Sequence, residues 1–330
     1  MAKGHKPRAG SRAFWPRKRA KRIYPRLKHS TELERISSKI KETKPLAFAG
    51  YKAGMTHVLL TEIKKRSVAH GLDLAKAVSV IECPPLYVCG INLYTKDAYG
   101  YKMLTTIWSK NLKKDILRKL DVPNKIKDIP SDDIIKKVAD IRLLVHTQPR
   151  ETGVGKKKPE VFEIDLSGTV EEKWKYAKEK LGKEIDISEV FSEGEYVDVK
   201  AVTKGKGYQG VVKRFGVKIR NRKSKEKRRH LGTLGPITPS RVLPGKIAFP
   251  GQMGFQTRTE FNKRIIKIGK DGVKVAGGFV NYGEVKKNYV LIEGSVPGAK
   301  KRLIILRKSF RKTNLKEPAE VKYIHLGSQQ

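Results

Sequence analysis

The basic stretch between Lys204 and Lys246 constrains the fold more than any other part of the chain. It contains fourteen Lys or Arg residues and a single acid, Glu226. Glycines and prolines punctuate it, and its middle follows neither the helical nor the strand period. An unstructured loop of this length is uncommon inside a compact domain, so the segment is either functional or disordered. Carboxylates within the segment cannot neutralise it, which predicts an anionic partner outside the chain.

The charge of the whole chain supports this expectation. Seventy-three Lys and Arg residues stand against 33 Asp and Glu, which gives a formal net charge of +40. Self-repulsion of this size destabilises a free protein unless a polyanion neutralises it. Nucleic acid and a membrane surface are the candidate polyanions. Because no stretch approaches about eighteen consecutive apolar residues and the N-terminus has no apolar signal core, we expect nucleic acid and no membrane.

Residues 1–44 are predicted to form a basic N-terminal arm. The first 28 residues hold eleven Lys or Arg and no acid, and the prolines among them forbid a continuous helix. Aromatic residues interleave with arginines, which suits RNA because guanidinium groups pair with phosphates and rings stack on bases. A solvated basic tail or localisation signal is the alternative. The predicted RNA-binding residues of the arm are Arg8, Arg12, Trp15, Arg17, Arg19 and Arg22.

Short apolar runs on both sides of a central insert predict one β-barrel assembled from separated pieces. In the first run, Gly50 and Gly54 allow a bulge or a close backbone approach. The run from Glu195 to Thr203 alternates, which predicts a half-buried strand with Asp198 on the side away from its valines. After Gly254, glycine turns separate further short strands.

The insert combines helical and strand patterns. Helical spacing occurs over 109–120 and 131–140, and strands are predicted at I-R-L-L-V-H-T and V-F-E-I-D-L. Thr169 followed by Glu172 predicts a capped helix that ends at Gly182, with Trp174 on its core-facing side. We therefore expect a mainly β fold with an α+β insert. The predicted divisions are the arm 1–44, the barrel 45–95 plus 191–211 plus 255–330, the insert 96–190 and the basic extension 212–254.

Patterns that suggest an enzyme are incomplete. The G-x-G-x-x-G sequence at 205–210 lacks the amphipathic helix and acidic residue of a dinucleotide site, and no H-R-D or D-F-G kinase motif occurs. Cys83 and Cys89 have neither zinc nor redox spacing and are expected to be buried thiols. His57 and His70 lack partners at ligand spacing. We expect no catalytic residue, no metal and no cofactor.

The residues around the glycines resemble a known family signature. The signature of the universal L-three family of large-subunit ribosomal proteins is matched in order and spacing, without departure, and four other stretches agree: G-Y-K-A-G-M-T (50–56), T-P-S-R-V (238–242), G-Q-M-G (251–254) and G-S-V-P-G (294–298). The basic arm and the large insert resemble the archaeal and eukaryotic branch. The signature residues are Phe191, Asp198, Ala201, Thr203, Gly205, Lys206, Gly207, Gly210 and Arg214.

This resemblance implies a translation-protein-type β-barrel and an extension that runs into ribosomal RNA towards the peptidyl transferase centre. It implies direct binding of 23S-type rRNA near its 3′ end, a role early in subunit assembly, and no catalysis of peptide transfer. The implied partners are large-subunit rRNA and neighbouring ribosomal proteins, in the large subunit in the cytoplasm, and we expect no homo-oligomer. Eukaryotic relatives carry Trp at the extension tip, where this chain has Ile237.

Two extended arms of about twenty residues each, at ~3.3 Å per residue, would carry the extension tip at most about 60 Å from the barrel. Charge alone leaves a DNA-binding protein open, and the glycine loop alone leaves a nucleotide-using enzyme open. The predicted RNA-binding residues here are Lys204, Lys206, Lys213, Arg214, Lys218, Arg220, Arg222, Lys223, Lys225, Lys227, Arg228, Arg229, His230, Arg241, Lys246 and Gln252.

Overall fold

The chain divides into two compact units. The extension unit comprises the described parts of residues 1–23 and 202–258, and the barrel unit comprises those of 24–201 and 259–330. The computed structural model describes residues 15–27, 40, 42–63, 67–122, 137–238, 240–243, 245–311 and 318–328.

The main sheet closes on itself. Its strands lie in the order β13, β8, β11, β12, β2, β1 and β14, and β13 also pairs with β1, so that six of them form a barrel. A mainly β fold built from segments before and after the insert is thus confirmed. The strands of this sheet are β1 (Ala47–Thr61), β2 (Asp73–Glu82), β8 (Tyr196–Val202), β11 (Thr257–Gly269), β12 (Tyr289–Glu293), β13 (Leu303–Lys308) and β14 (Val321–Ile324).

Two glycines of β1 allow the close packing of the barrel. The pairing of β1 with β2 shifts register between Lys52 and Gly54, which is the bulge that the sequence predicts. A Cβ atom on Gly54 would lie 2.5 Å from the ring of Phe279. A Cβ atom on Gly50 would lie 2.8 Å from the carbonyl oxygen of Glu82. Neither position has room for a side chain.

The prediction that β8 is half-buried, with Asp198 on its open side, is wrong. Asp198 is fully buried, because the second face of the strand is covered as well. Its carboxylate accepts a hydrogen bond from the Arg307 guanidinium at 2.9 Å and another from the backbone N–H of Asn262 at 3.1 Å. Arg307 lies on the adjacent strand β13 and is also buried, so the barrel wall contains a paired charge.

A second sheet lies in the barrel unit. β3 pairs with β4, β5 and β7, and β5 pairs with β6. β3 thus belongs to the sheet of the insert, although most of its residues fall within the predicted barrel segment 45–95. The two strands predicted within the insert are confirmed as β5 and β6. The strands are β3 (Leu86–Asp97), β4 (Gly100–Trp108), β5 (Asp140–His146), β6 (Val161–Asp165) and β7 (Glu184–Ile185).

The insert contains the predicted capped helix, α1 (Val170–Lys180). The Thr169 side chain accepts from the Glu172 backbone N–H, the Glu172 carboxylate accepts from the Thr169 N–H, and Trp174 is buried. A shorter helix, α2 (Ile187–Val190), follows.

The helix predicted over 109–120 is wrong. That segment forms only a five-residue 3₁₀ helix, Lys114–Arg118, in which Ile116 is the buried residue. One buried side chain does not offset the cost of nucleating a longer helix. Most of the second predicted helix, 131–140, lies outside the described residues.

Both cysteines are buried free thiols, as the sequence predicts. Burial raises the pKa of the Cys89 thiol to about 12 and raises that of Cys83 further above its usual range. At neutral pH both are protonated, which leaves them unreactive as nucleophiles or metal ligands.

Candidate nucleic-acid interface

The extension unit contains a small two-stranded ribbon near the two ends of its 202–258 segment. β9 (Tyr208–Gln209) pairs antiparallel with β10 (Gly251–Gln252), and a short helix, α3 (Val211–Phe215), follows β9 directly. Gly216 ends α3 in the left-handed conformation, with φ 68°. Farther along, Arg222–Arg229 forms 3₁₀ turns with no buried residue.

Glycines bring the two ends of the extension together. The Lys206 N–H donates to the Met253 carbonyl at 3.0 Å, and the Met253 N–H donates to the Gly207 carbonyl at 2.9 Å. Gly254 has φ 70°, and a Cβ atom there would lie 2.1 Å from the Lys204 carbonyl oxygen. The family-like G-K-G and G-Q-M-G stretches therefore form a backbone junction, which explains why both are rich in glycine.

Arg214 fastens this junction through its guanidinium group. Its Nη1 donates to the Phe249 carbonyl at 2.7 Å, its Nε to the Gln252 carbonyl at 3.1 Å and its Nη2 to the Arg17 carbonyl at 3.2 Å. Arg17 in turn donates from Nη1 to the Arg214 carbonyl at 3.3 Å. The planar guanidinium group thus binds three separate carbonyls at once. The ammonium group of a lysine is a point charge on a flexible stem and cannot span all three.

Two aromatic rings complete the cluster. Trp15 and Phe215 stack with ring centroids 5.8 Å apart and planes 12° apart. The Arg17 guanidinium lies 4.3 Å from the Phe215 ring centroid, and the Arg214 guanidinium lies 5.2 Å from it. The arm and the extension therefore meet through a stack of rings and guanidinium planes.

The cluster concentrates positive charge. Burial lowers the pKa of Arg17, and the nearby Arg258 lowers it further. Burial likewise lowers the pKa of Arg214, with Arg17 as the next cause. Arginine nevertheless stays protonated at neutral pH, so the repulsion between these cations persists.

The predicted RNA-binding residues fall into three groups. Arg8 and Arg12 lie outside the described residues, whereas Trp15, Arg17, Arg214 and Gln252 are partly buried in the junction and its aromatic cluster. The third group has exposed side chains: Arg19, Arg22, Lys204, Lys206, Lys213, Lys218, Arg220, Arg222, Lys223, Lys225, Lys227, Arg228, Arg229, His230, Arg241 and Lys246.

A cleft of about 380 Å³ opens beside the junction. We call it the cationic cleft, because none of the described residues that line it is an acid. Sequence reasoning missed Gln256 and Arg258, which follow the extension as a lone amide and a lone base and gave no local signal. The lining residues are Arg17, Thr203, Lys204, Lys206, Arg214, Gln252, Met253, Gly254, Gln256 and Arg258.

The described residues offer little support for other kinds of site. No group of three His, Cys, Asp or Glu side chains within that part of the chain could hold a metal ion. No described helix is long and apolar enough to cross a membrane. The G-x-G-x-x-G glycines lead into a helix of only five residues, which does not provide the βαβ unit of a dinucleotide site.

A β-barrel together with an extension rich in exposed cations is typical of proteins whose partner is a polyanion. The family model for Ribosomal protein L3 matches residues 1–330. The Large ribosomal subunit protein uL3 of Methanothermobacter thermautotrophicus is 47% identical, over 100% of this chain and 99% of its own. The corresponding proteins of Methanosphaera stadtmanae and Methanocaldococcus jannaschii are 46% and 44% identical, over 100% and 99% of this chain and 99% and 98% of their own.

The chain belongs to the ribosomal protein L3 family. The members of this family are structural proteins of the large ribosomal subunit, a cytoplasmic particle, and are not enzymes. The resemblance to the archaeal and eukaryotic branch of this family is confirmed by these archaeal relatives.

Proposed function

We propose that this chain is a structural constituent of the large ribosomal subunit that binds large-subunit rRNA directly, near the 3′ end of that RNA. One observation carries the proposal. Within 204–246, every predicted RNA-binding cation except Arg214 is exposed, and Glu226 is the sole acid of the segment. Exposed cations with a single acid in their own segment gain free energy by releasing the counterions of a nucleic-acid backbone.

The partially buried junction explains how such a segment starts and ends in a defined place. Arg214 and the stacked rings fix the base of the extension, whereas 217–230 contains only exposed or half-exposed side chains. A fixed base and a solvent-exposed remainder suit an element that inserts between RNA helices. We propose that it reaches towards the peptidyl transferase centre without catalysing peptide transfer.

We infer the time of binding from steric access to the RNA. An extension surrounded by folded RNA cannot thread into it afterwards, so the protein has to bind before the RNA has closed around that path. We propose that the chain acts early in subunit assembly, as a single copy and not as a homo-oligomer, beside neighbouring ribosomal proteins.

Residue-specific crosslinking tests the placement. A photoreactive residue would replace Ile237, whose side chain is 90% exposed, and a second would replace Lys76 of the barrel unit as a control. In assembled subunits, we expect position 237 to crosslink to nucleotides of the peptidyl transferase region and position 76 to give none there. Crosslinks from position 237 only to RNA at the outer surface would contradict the proposal.

Competition tests the class of partner. Unlabelled large-subunit rRNA should displace labelled large-subunit rRNA from the full chain at far lower concentration than duplex DNA or small-subunit rRNA does. A preference for duplex DNA would favour a DNA-binding protein instead.

A further inference from the structure

Two of the residues that line the cationic cleft carry a buried hydrogen-bond donor with no acceptor among the described residues. The Arg17 Nε and the Gln256 Nε2 are both buried, and neither donates to an acceptor among the described residues. The Gln256 Oε1 accepts from Arg258 at 3.2 Å, which fixes the amide and leaves its NH₂ as the unpaired end. A buried donor without an acceptor costs about 1–3 kcal/mol, so each such group calls for an explanation.

The shape and charge of the cleft indicate what the missing acceptor is. Its lining includes the bases Lys204, Lys206 and Arg258 besides the arginines of the cluster, and no acid among the described residues. Its volume of about 380 Å³ exceeds by about tenfold the ~30 Å³ that one water occupies in the liquid. The cleft therefore has the room and the charge to admit a phosphate-sized anion.

Contacts within the aromatic cluster do not account for the two unpaired donors. Stacking on Phe215 explains the orientation of the Arg17 plane, but it does not satisfy the Arg17 Nε or the Gln256 amide.

We propose that the cationic cleft binds one backbone phosphate of the RNA, held by Arg17, Gln256 and Arg258. The proposal deepens the rRNA-binding function proposed above and rests on it. The phosphate belongs to a polymer, because the cleft lies in the same unit as the exposed cations of 204–246. Those cations would bind further phosphates of the same RNA chain. Bound there, it accepts from the unpaired donors and offsets the repulsion between Arg17 and Arg258.

A near-isosteric substitution tests this directly. Gln256→Glu replaces the unpaired NH₂ with a carboxylate oxygen, which supplies an internal anion where the phosphate would lie. We expect the unfolding midpoint of the free full-length protein to stay unchanged or rise. The Kd for large-subunit rRNA should rise at least about tenfold, because the carboxylate repels the phosphate and occupies its donors.

Asn221→Asp is the matched control. It makes the same change from amide to carboxylate in the extension unit, outside the residues that line the cleft, and Asn221 makes no side-chain cap hydrogen bond. Because Asn221 lies among the exposed cations of the extension, this variant measures the effect of an added negative charge outside the cleft, and we expect a smaller rise in the Kd than for Gln256→Glu.

A second arm uses inorganic phosphate alone. The unfolding midpoints of the three full-length proteins are compared in sodium phosphate and in sodium chloride of equal ionic strength. We expect phosphate to raise the midpoint of the unsubstituted chain and of Asn221→Asp by the same amount, and to raise that of Gln256→Glu by less. The general stabilising effect of phosphate cancels in this comparison.

The outcomes separate the two proposals. If Gln256→Glu and Asn221→Asp behave alike in both arms, the phosphate site is overturned. If Gln256→Glu removes the phosphate effect but leaves the rRNA affinity unchanged, the cleft takes free phosphate and the assignment to the RNA backbone is overturned. If the unsubstituted chain does not bind rRNA, the proposed function fails, and the phosphate arm still decides whether the cleft binds an anion.

Discussion

Replacing Arg214 by lysine should open the junction of the extension while leaving its charge unchanged. The guanidinium of Arg214 makes three hydrogen bonds to the carbonyls of Phe249, Gln252 and Arg17. An ammonium group at the end of a flexible stem can replace about one of them. Two charge-assisted hydrogen bonds are therefore lost. Because the Arg214 side chain is half-exposed, we take the low end of the contribution of such bonds to stability, ~1.5 kcal/mol each.

The loss of about 3 kcal/mol corresponds to roughly a hundredfold increase in the opening equilibrium, since each 1.4 kcal/mol is a factor of ten. Amide hydrogen exchange reports such local opening. We expect exchange to accelerate about a hundredfold at Lys206 and Met253, whose N–H groups bond across the junction, and at Ala20, whose N–H donates to the Phe255 carbonyl at 2.8 Å.

Lys213→Arg supplies the matched control, because it alters an exposed neighbouring cation without removing a junction hydrogen bond. Exchange at Val290 and Ile304 in the barrel should be the same in both variants. If Arg214→Lys changes exchange at the junction amides by less than about threefold, the guanidinium does not fasten the extension and the reasoning is refuted.

Three further predictions concern the barrel unit, each measured by urea unfolding of the full chain. Asp198→Asn removes the charge that pairs with buried Arg307 and should cost about 3–5 kcal/mol; a loss below about 1 kcal/mol would mean that the pair contributes little. Gly54→Ala forces a methyl group against an aromatic ring 2.5 Å away and should cost about 1–3 kcal/mol; a loss below about 0.5 kcal/mol would contradict the close packing. Burial lowers the pKa of His146 in the folded protein. As the pH falls below about 6.5, the unfolded chain therefore takes up a proton first, and the folded protein loses stability. His146→Gln should lose less stability between pH 7 and pH 5 than the unsubstituted chain, and an equal loss would contradict this.

Local patterns predicted the elements whose signals lie close together in the chain. Thr169 and Glu172 stand three residues apart, and their reciprocal hydrogen bonds form the predicted capping box. The bulge at Gly54 likewise follows from a glycine in a strand. In both cases the residues that make the structure are those that form the pattern.

Features that depend on distant residues were not predictable. Asp198 is buried because it pairs with Arg307, 109 positions along the chain. The alternating residue pattern of its own strand does not indicate that partner. The cationic cleft brings together Arg17 and Arg258, which lie near opposite ends of the chain's extension unit in sequence. Composition alone identifies the cations of 204–246 as a set, and their side chains are exposed except for that of Arg214; their role in binding RNA stays a prediction.

The salt dependence of rRNA binding tests the central claim most directly. Each phosphate contact contributes about 0.7–0.9 to the slope of log K against log salt. The full chain is compared with a variant in which the six bases of Arg222–Arg229 are changed to Gln. We expect a steep negative slope for the unsubstituted chain and a slope smaller in magnitude by about 4–5 for the variant. Equal slopes in the two proteins would contradict the account.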